Sequence, residues 1–124
     1  MNNQWDFYSE VAAIIEFRDK RNWRQFHFPK ELAAAISIET AELQELFLWK
    51  GQESSEHIIS DCERMDKISD EVADIAIYLF LLTHELNIDL RVAVAQKLKK
   101  NAMKYPIMKT PKTNHISYSA ANSP

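Results

Sequence analysis

Leu32-Ala-Ala-Ala-Ile-Ser-Ile-Glu-Thr-Ala-Glu-Leu-Gln-Glu-Leu46 repeats its apolar residues at alternating spacings of four and three, and one position of the repeat is an acid. Leu32, Ile36, Glu39, Leu43 and Leu46 therefore share one helical face. Glu39 sits in the middle of that stripe, and Glu42 lies about 60° around the helix from it. Glu71-Val-Ala-Asp-Ile-Ala-Ile-Tyr-Leu-Phe-Leu-Leu82 has the same character, with Asp74 the only charge between Val72 and Leu82. Here Ile68, Val72, Ile75, Leu79 and Leu82 form one stripe, and Glu71, Asp74, Tyr78 and Leu81 form a second beside it. An unpaired carboxylate in apolar surroundings is costly. Four acids on facing helices repel one another unless cations hold them, and all-oxygen ligation suits Mg²⁺ or Mn²⁺.

Working outward, the composition agrees with an all-α protein: the 124 residues hold one glycine and four prolines. That length suggests one small domain. The formal charge of -3 gives no case for nucleic-acid binding. A single cysteine, Cys62, excludes an internal disulfide and fits a reducing compartment. The first residues lack the basic and apolar regions of a signal peptide, and the run from Val72 to Leu82 is too short to cross a bilayer. The expected location is the cytoplasm.

Four helices are expected. The first runs from about Asn3 to Lys20, with Trp5, Tyr8, Ala12 and Ile15 along one stripe and Val11 and Ile14 widening it. Pro29 suits the first turn of the second helix, and Gly51 offers a stop after Lys50. The third helix opens at the capping box Ser60-Asp-Cys-Glu63, or earlier at Ser54 or Ser55. Asp89 caps a fourth helix from Leu90 to about Tyr105, which Pro106 ends. Residues 107–124 lack periodicity and read as a flexible tail, leaving a domain over residues 1–106. The third helix has more apolar circumference than a four-helix monomer covers. A homodimer or homotetramer is expected, with the first helix and the region of Phe80 completing the packing across chains.

The histidines argue against other metals. Neither acid pair contains one, and His27, His57, His84 and His115 show no paired spacing, which disfavours a di-iron centre or structural zinc. Glu45 continues the acids of the second helix, as a further ligand, a water-positioning group or an exposed residue. Trp49 is seven residues past Glu42 and projects from nearly the same side of a continuous helix. Trp23, His27, Trp49 and Tyr78 are candidates to stack on a nucleobase, although tryptophan in a small bundle is more often core. Lys97, Lys100 and Lys104 suit a phosphate or the negative end of their own helix.

With these motifs in view, the chain resembles the all-α nucleoside triphosphate pyrophosphatases, the MazG-like superfamily. Glu-x-x-Glu, a spacer and Glu-x-x-Asp are its hallmark, and here residues 43–70 form the spacer. Residues 21–29, 42–50, 70–79 and 97–106 look like its dCTP pyrophosphatase branch. The resemblance implies Mg²⁺-dependent cleavage between the α- and β-phosphates of a nucleoside triphosphate, with Mn²⁺ as a substitute. It places Glu39, Glu42, Glu71 and Asp74 as metal ligands. It puts Trp23, His27, Trp49, Tyr78 and Asn101 around the nucleotide, and Lys97, Lys104 and Tyr105 near the phosphates. Glu42 and Glu45 stand as alternatives for orienting the attacking water. Ile14 departs from the pattern, since some dCTP-cleaving relatives carry a histidine there; this bears on base preference. The expected substrate is dCTP or a modified cytosine nucleotide, ahead of dUTP, other nucleotides and the phosphoribosyl-ATP step of histidine biosynthesis. A non-catalytic regulatory module is the competing class, and it has no need for four acids on core-adjacent faces.

Overall fold

The computed structural model describes residues 6–108. Five α-helices and one 3-10 turn make up the regular structure of these residues: α1 (Phe7–Lys20), the 3-10 turn (Trp23–Phe26), α2 (Pro29–Glu45), α3 (Ser55–Ile59), α4 (Cys62–Glu85) and α5 (Leu90–Lys104). The all-α class holds, with one more helix than the expected four. Two compact units are distinguished, Met1–Ile88 and Asp89–Pro124. In the first, α2 and α4 form the principal pair, while α1 and α3 also pack on α4.

Most helix starts follow local capping chemistry. Asp6 accepts from the Tyr8 N–H at 3.1 Å, and Pro29 stands in the first turn of α2, where a missing N–H costs nothing. Asp89 accepts from the Arg91 and Val92 N–H groups and opens α5 as expected. The polar stretch expected as a loop contains α3, capped by the Ser54 hydroxyl at 3.2 Å. Asp61, not Ser60, caps α4 by accepting from the Arg64 N–H at 3.1 Å. The Ser60 hydroxyl instead donates to the His57 carbonyl at 2.6 Å, closing α3.

The end of α2 differs most from expectation. The helix stops at Glu45, and Leu46, Phe47 and Leu48 donate to the carbonyls three residues back. This tightened turn then closes with Trp49 in the left-handed region at φ 64°, so the tryptophan and not Gly51 makes the reversal. Arg64 anchors the turn: its Nε donates to the Leu46 carbonyl at 3.2 Å, while both terminal nitrogens clasp the Glu53 carboxylate at 2.8 and 3.0 Å. A two-pronged guanidinium–carboxylate contact has a defined orientation as well as charge. It ties the end of α2 to the start of α4 and aligns the two antiparallel.

The core is small. Leu32 on α2 and Leu81 on α4 are buried at 1% and 3% exposure. On α2 the anticipated stripe does face inward, since Leu32 is buried and Ile36, Glu39, Leu43 and Leu46 are half-buried. On α4 the stripe carrying Glu71, Tyr78 and Leu81 is drawn in, whereas Val72 and Asp74 are exposed. On α1, Val11, Ile14 and Ile15 of the expected stripe are half-buried, and Phe7 and Arg18 complete the inward face in place of Tyr8 and Ala12. Tyr8 and Ala12 are exposed, and Trp5 lies outside the described residues. Phe7 meets Phe80 edge-on at 5.3 Å between ring centres, so Phe80 has an aromatic partner within the chain. The expected tail lies outside the described residues beyond residue 108.

Leu32→Ala is expected to destabilise the protein by about 2–5 kcal/mol, the range for truncating a buried leucine. Urea unfolding followed by helical circular dichroism measures this, and a loss under about 0.5 kcal/mol would place the core elsewhere.

Candidate metal centre and adjoining cavity

Antiparallel packing of α2 on α4 sets Glu39 opposite Glu71. Glu39, Glu42 and Glu71 each offer a carboxylate oxygen within 4.8 Å of the others. Glu39 and Glu71 are half-buried and Glu42 is exposed, so the cluster lies at the rim of the helix seam. Among the described residues, one oxygen on Glu39 and one on Glu71 are buried without a hydrogen-bond donor while both acids are ionised. Two ionised carboxylates have only acceptors to offer each other, so a proton or a cation must come between them.

The proton affinity of Glu39 reflects this. Its pKa is pushed up from 4.5 to about 7, chiefly through the hydrogen bond that its protonated form makes with Glu71. Burial adds to the rise, as do the hydrogen bond and charge of Glu42. A hard divalent cation satisfies the same oxygens without a proton, and three converging carboxylates are a suitable donor set for one. Asp74 stands one turn further along α4. It is exposed and contributes to the wall of an adjoining cavity, outside the three-acid cluster. Glu45 is exposed at the last position of α2.

The cavity, of about 260 Å³, lies between α1, the 3-10 turn and α4. Ile14, Phe17, Trp23 and Tyr78 give it apolar and aromatic walls, and Arg18, His27 and Asp74 supply polar ones. Three of the expected base-binding residues, Trp23, His27 and Tyr78, are thus brought together. The Trp23 and His27 rings are 6.5 Å apart, and Phe17 meets Trp23 edge-on at 5.6 Å. Buried Nδ1 of His27 has no partner. Burial holds the His27 pKa below its usual value, the Arg18 charge lowers it further, and Glu85 opposes both.

Trp49 is elsewhere. Its expected place beside Glu42 required a helix through Lys50, but α2 ends at Glu45 and the Trp49 side chain is 98% exposed. On α5, Lys97, Asn101 and Lys104 share a helical face by their spacing of four and three. Asn101 is half-buried, and Lys97, Lys100, Lys104 and Tyr105 are exposed. The Lys104 ammonium sits 5.3 Å above the Tyr105 ring. Arg18, like Phe17 and Ile77, is a cavity residue that the sequence reading missed. Continuing the Phe7–Val11–Ile14 stripe by one more step would have reached Arg18.

Between pH 4.5 and about 7 the folded, metal-free chain keeps a proton on Glu39 that the unfolded chain releases. This contribution to stability is therefore full below 4.5 and is lost as the pH rises through about 7. In chelator-treated protein, Glu39→Gln is expected to flatten this decline, as measured by urea unfolding at intervals across that range. Equal slopes for variant and wild type would show that the Glu39 proton is not taken up on folding.

Comparison with known proteins matches this geometry to a family. The model of the MazG-like family matches residues 34–117, which include both acid pairs. The dCTP pyrophosphatase 1 of Bos taurus is 40% identical over 93 residues, covering 74% of this chain and 54% of that protein. The protein of the same name from Homo sapiens is 39% identical over 92 residues, covering 73% and 54%. The chain spans about half the length of the curated relatives it matches. In three dimensions it resembles the crystal structure of a pyrophosphatase from Archaeoglobus fulgidus, with a TM-score of 0.71, 38% identity and coverage of 86% of this chain and 99% of that one. The chain belongs to the MazG-like family.

Proposed function

We propose that this protein is a nucleoside triphosphate pyrophosphohydrolase, cleaving a deoxynucleoside triphosphate between its α- and β-phosphates to release the monophosphate and pyrophosphate. The observation that carries the reading is the Glu39–Glu42–Glu71 cluster with its two unpartnered buried oxygens, beside an aromatic cavity in a MazG-like chain. The names of its relatives support dCTP or a modified cytosine nucleotide as substrate.

Glu39, Glu42 and Glu71 would hold Mg²⁺, or Mn²⁺ in its place, and Asp74 completes the set from the cavity side. The bound ion would supply charge neutralisation at the phosphates and a lowered pKa for water. Trp23 and Tyr78 bind the base by stacking, and His27 contacts its polar edge. The resemblance assigns Asn101 to the nucleotide and Lys97, Lys104 and Tyr105 to its phosphates. Glu42 or Glu45 orients the attacking water and accepts its proton. The catalytic domain covers residues 1–106 and acts as nucleotide-pool house-cleaning in the cytoplasm, with no nucleic-acid or membrane partner. No helix among the described residues is long and apolar enough to cross a membrane.

Self-association belongs to the same reading. Tyr8, Phe26, Phe28 and Ile38 are each more than half exposed, an apolar surface that suits a homodimer or homotetramer. Light scattering at micromolar protein is expected to give a multiple of the chain mass, and a stable monomer would overturn this part.

For activity, wild-type protein with Mg²⁺ is expected to release pyrophosphate from dCTP. Glu39→Gln together with Asp74→Asn is expected to abolish release while helical circular dichroism is retained. Wild-type turnover in that double variant would refute the proposed site.

A further inference from the structure

Arg18 combines a charge with an exposure of only 2%. Its Nε donates to Asp19 Oδ1 at 2.9 Å, one terminal nitrogen donates to Glu85 Oε1 at 2.8 Å, and the other approaches Asp19 Oδ1 at 2.9 Å. Glu85 is shared, since Arg24 Nε lies 3.3 Å from the same oxygen. Asp19 is half exposed and so neutralises the guanidinium weakly. A guanidinium has five N–H donors. Among the described residues these contacts account for three of the five, one on each nitrogen. A buried donor left unused is costly, and Arg18 forms part of the cavity wall beside the aromatic rings.

We infer that Arg18 determines base specificity: held by Glu85 and Asp19, it favours a heterocycle that turns a carbonyl oxygen toward it. This deepens the proposed function and rests on its assignment of the cavity to the base. Stacking on Trp23 and Tyr78 accepts any flat ring, whereas a fixed donor penalises a ring with no oxygen to receive it. Uracil, thymine, cytosine and guanine each carry a carbonyl, and adenine carries none. The substrate class that follows is a nucleotide whose base bears a carbonyl, the proposed cytosine nucleotide included, with adenine disfavoured. Glu85 is a positioning residue, since it orients Arg18 without facing the ring itself.

The test measures binding and needs no turnover. Calorimetric titration with dUMP and dAMP is carried out on wild type, Arg18→Met and the double variant Arg18→Met/Glu85→Gln, which leaves no buried carboxylate seeking its partner. Wild type is expected to bind dUMP more tightly, and the preference over dAMP is expected to fall on the order of tenfold in both variants. Equal weakening for both nucleotides, or an unchanged preference, would reduce Arg18 to a structural tie between α1 and α4 and overturn the inference. Should Arg18→Met fail to fold, the double variant alone decides between these outcomes. Absence of any wild-type preference also overturns the inference, while release of pyrophosphate from triphosphates independently decides the proposed function.

Discussion

Everything at this site follows from placing like charges across a helix seam. Glu39 and Glu71 face each other where α2 packs on α4, and Glu42 stands close beside them. Left ionised, the trio pushes apart the two helices that carry Leu32 and Leu81. Arg64 resists this from the end of the seam, gripping the Leu46 carbonyl and the Glu53 carboxylate together. The strong attractive contact lies at one end of the pair and the repulsive one further along it. An acid cluster built in this way lowers the stability of its own scaffold until a proton or a cation is shared among its carboxylates.

The acid cluster and the aromatic cavity occupy neighbouring parts of the first unit. The acids come from α2 and α4, whereas the cavity takes its walls from α1, the 3-10 turn and α4. Helix α4 serves both, with Glu71 on the seam and Asp74, Tyr78 and Leu81 lining the cavity. A shift of α4 along its axis would therefore disturb the acid cluster and the cavity together. Buried Arg18 and half-buried His27 bring charge and an unpaired nitrogen into an otherwise apolar space. Such a cavity holds more than stacking requires.

Much of this was legible in the residues. The inward stripe of α2, the acid pairs, Pro29 at the start of α2 and the Asp89 cap all rest on local spacing or local hydrogen bonding, which sequence records directly. Other features depend on contacts distant in sequence. Helix α2 stops before Gly51 because Arg64, eighteen residues beyond Leu46, takes the Leu46 carbonyl as the turn tightens. The phase of α1 is set by Phe7 meeting Phe80 and Arg18 meeting Glu85, and neither partner can be identified from helix periodicity. Asp74 reads as buried from its apolar neighbours along the chain, yet it is exposed because its side of α4 opens onto the cavity.

The Arg64 clasp also governs where the chain tolerates a change of length. Its anchors are the Leu46 carbonyl and the Glu53 carboxylate, so the way α2 meets α4 is fixed ahead of the segment that carries α3. One residue inserted between Glu42 and Leu46 is a different matter. It rotates the acids by about 100° relative to the anchored turn and carries them off the seam. The opposition of Glu39 and Glu71 thus depends on the length of chain between Glu42 and Leu46 more than on the length beyond the clasp.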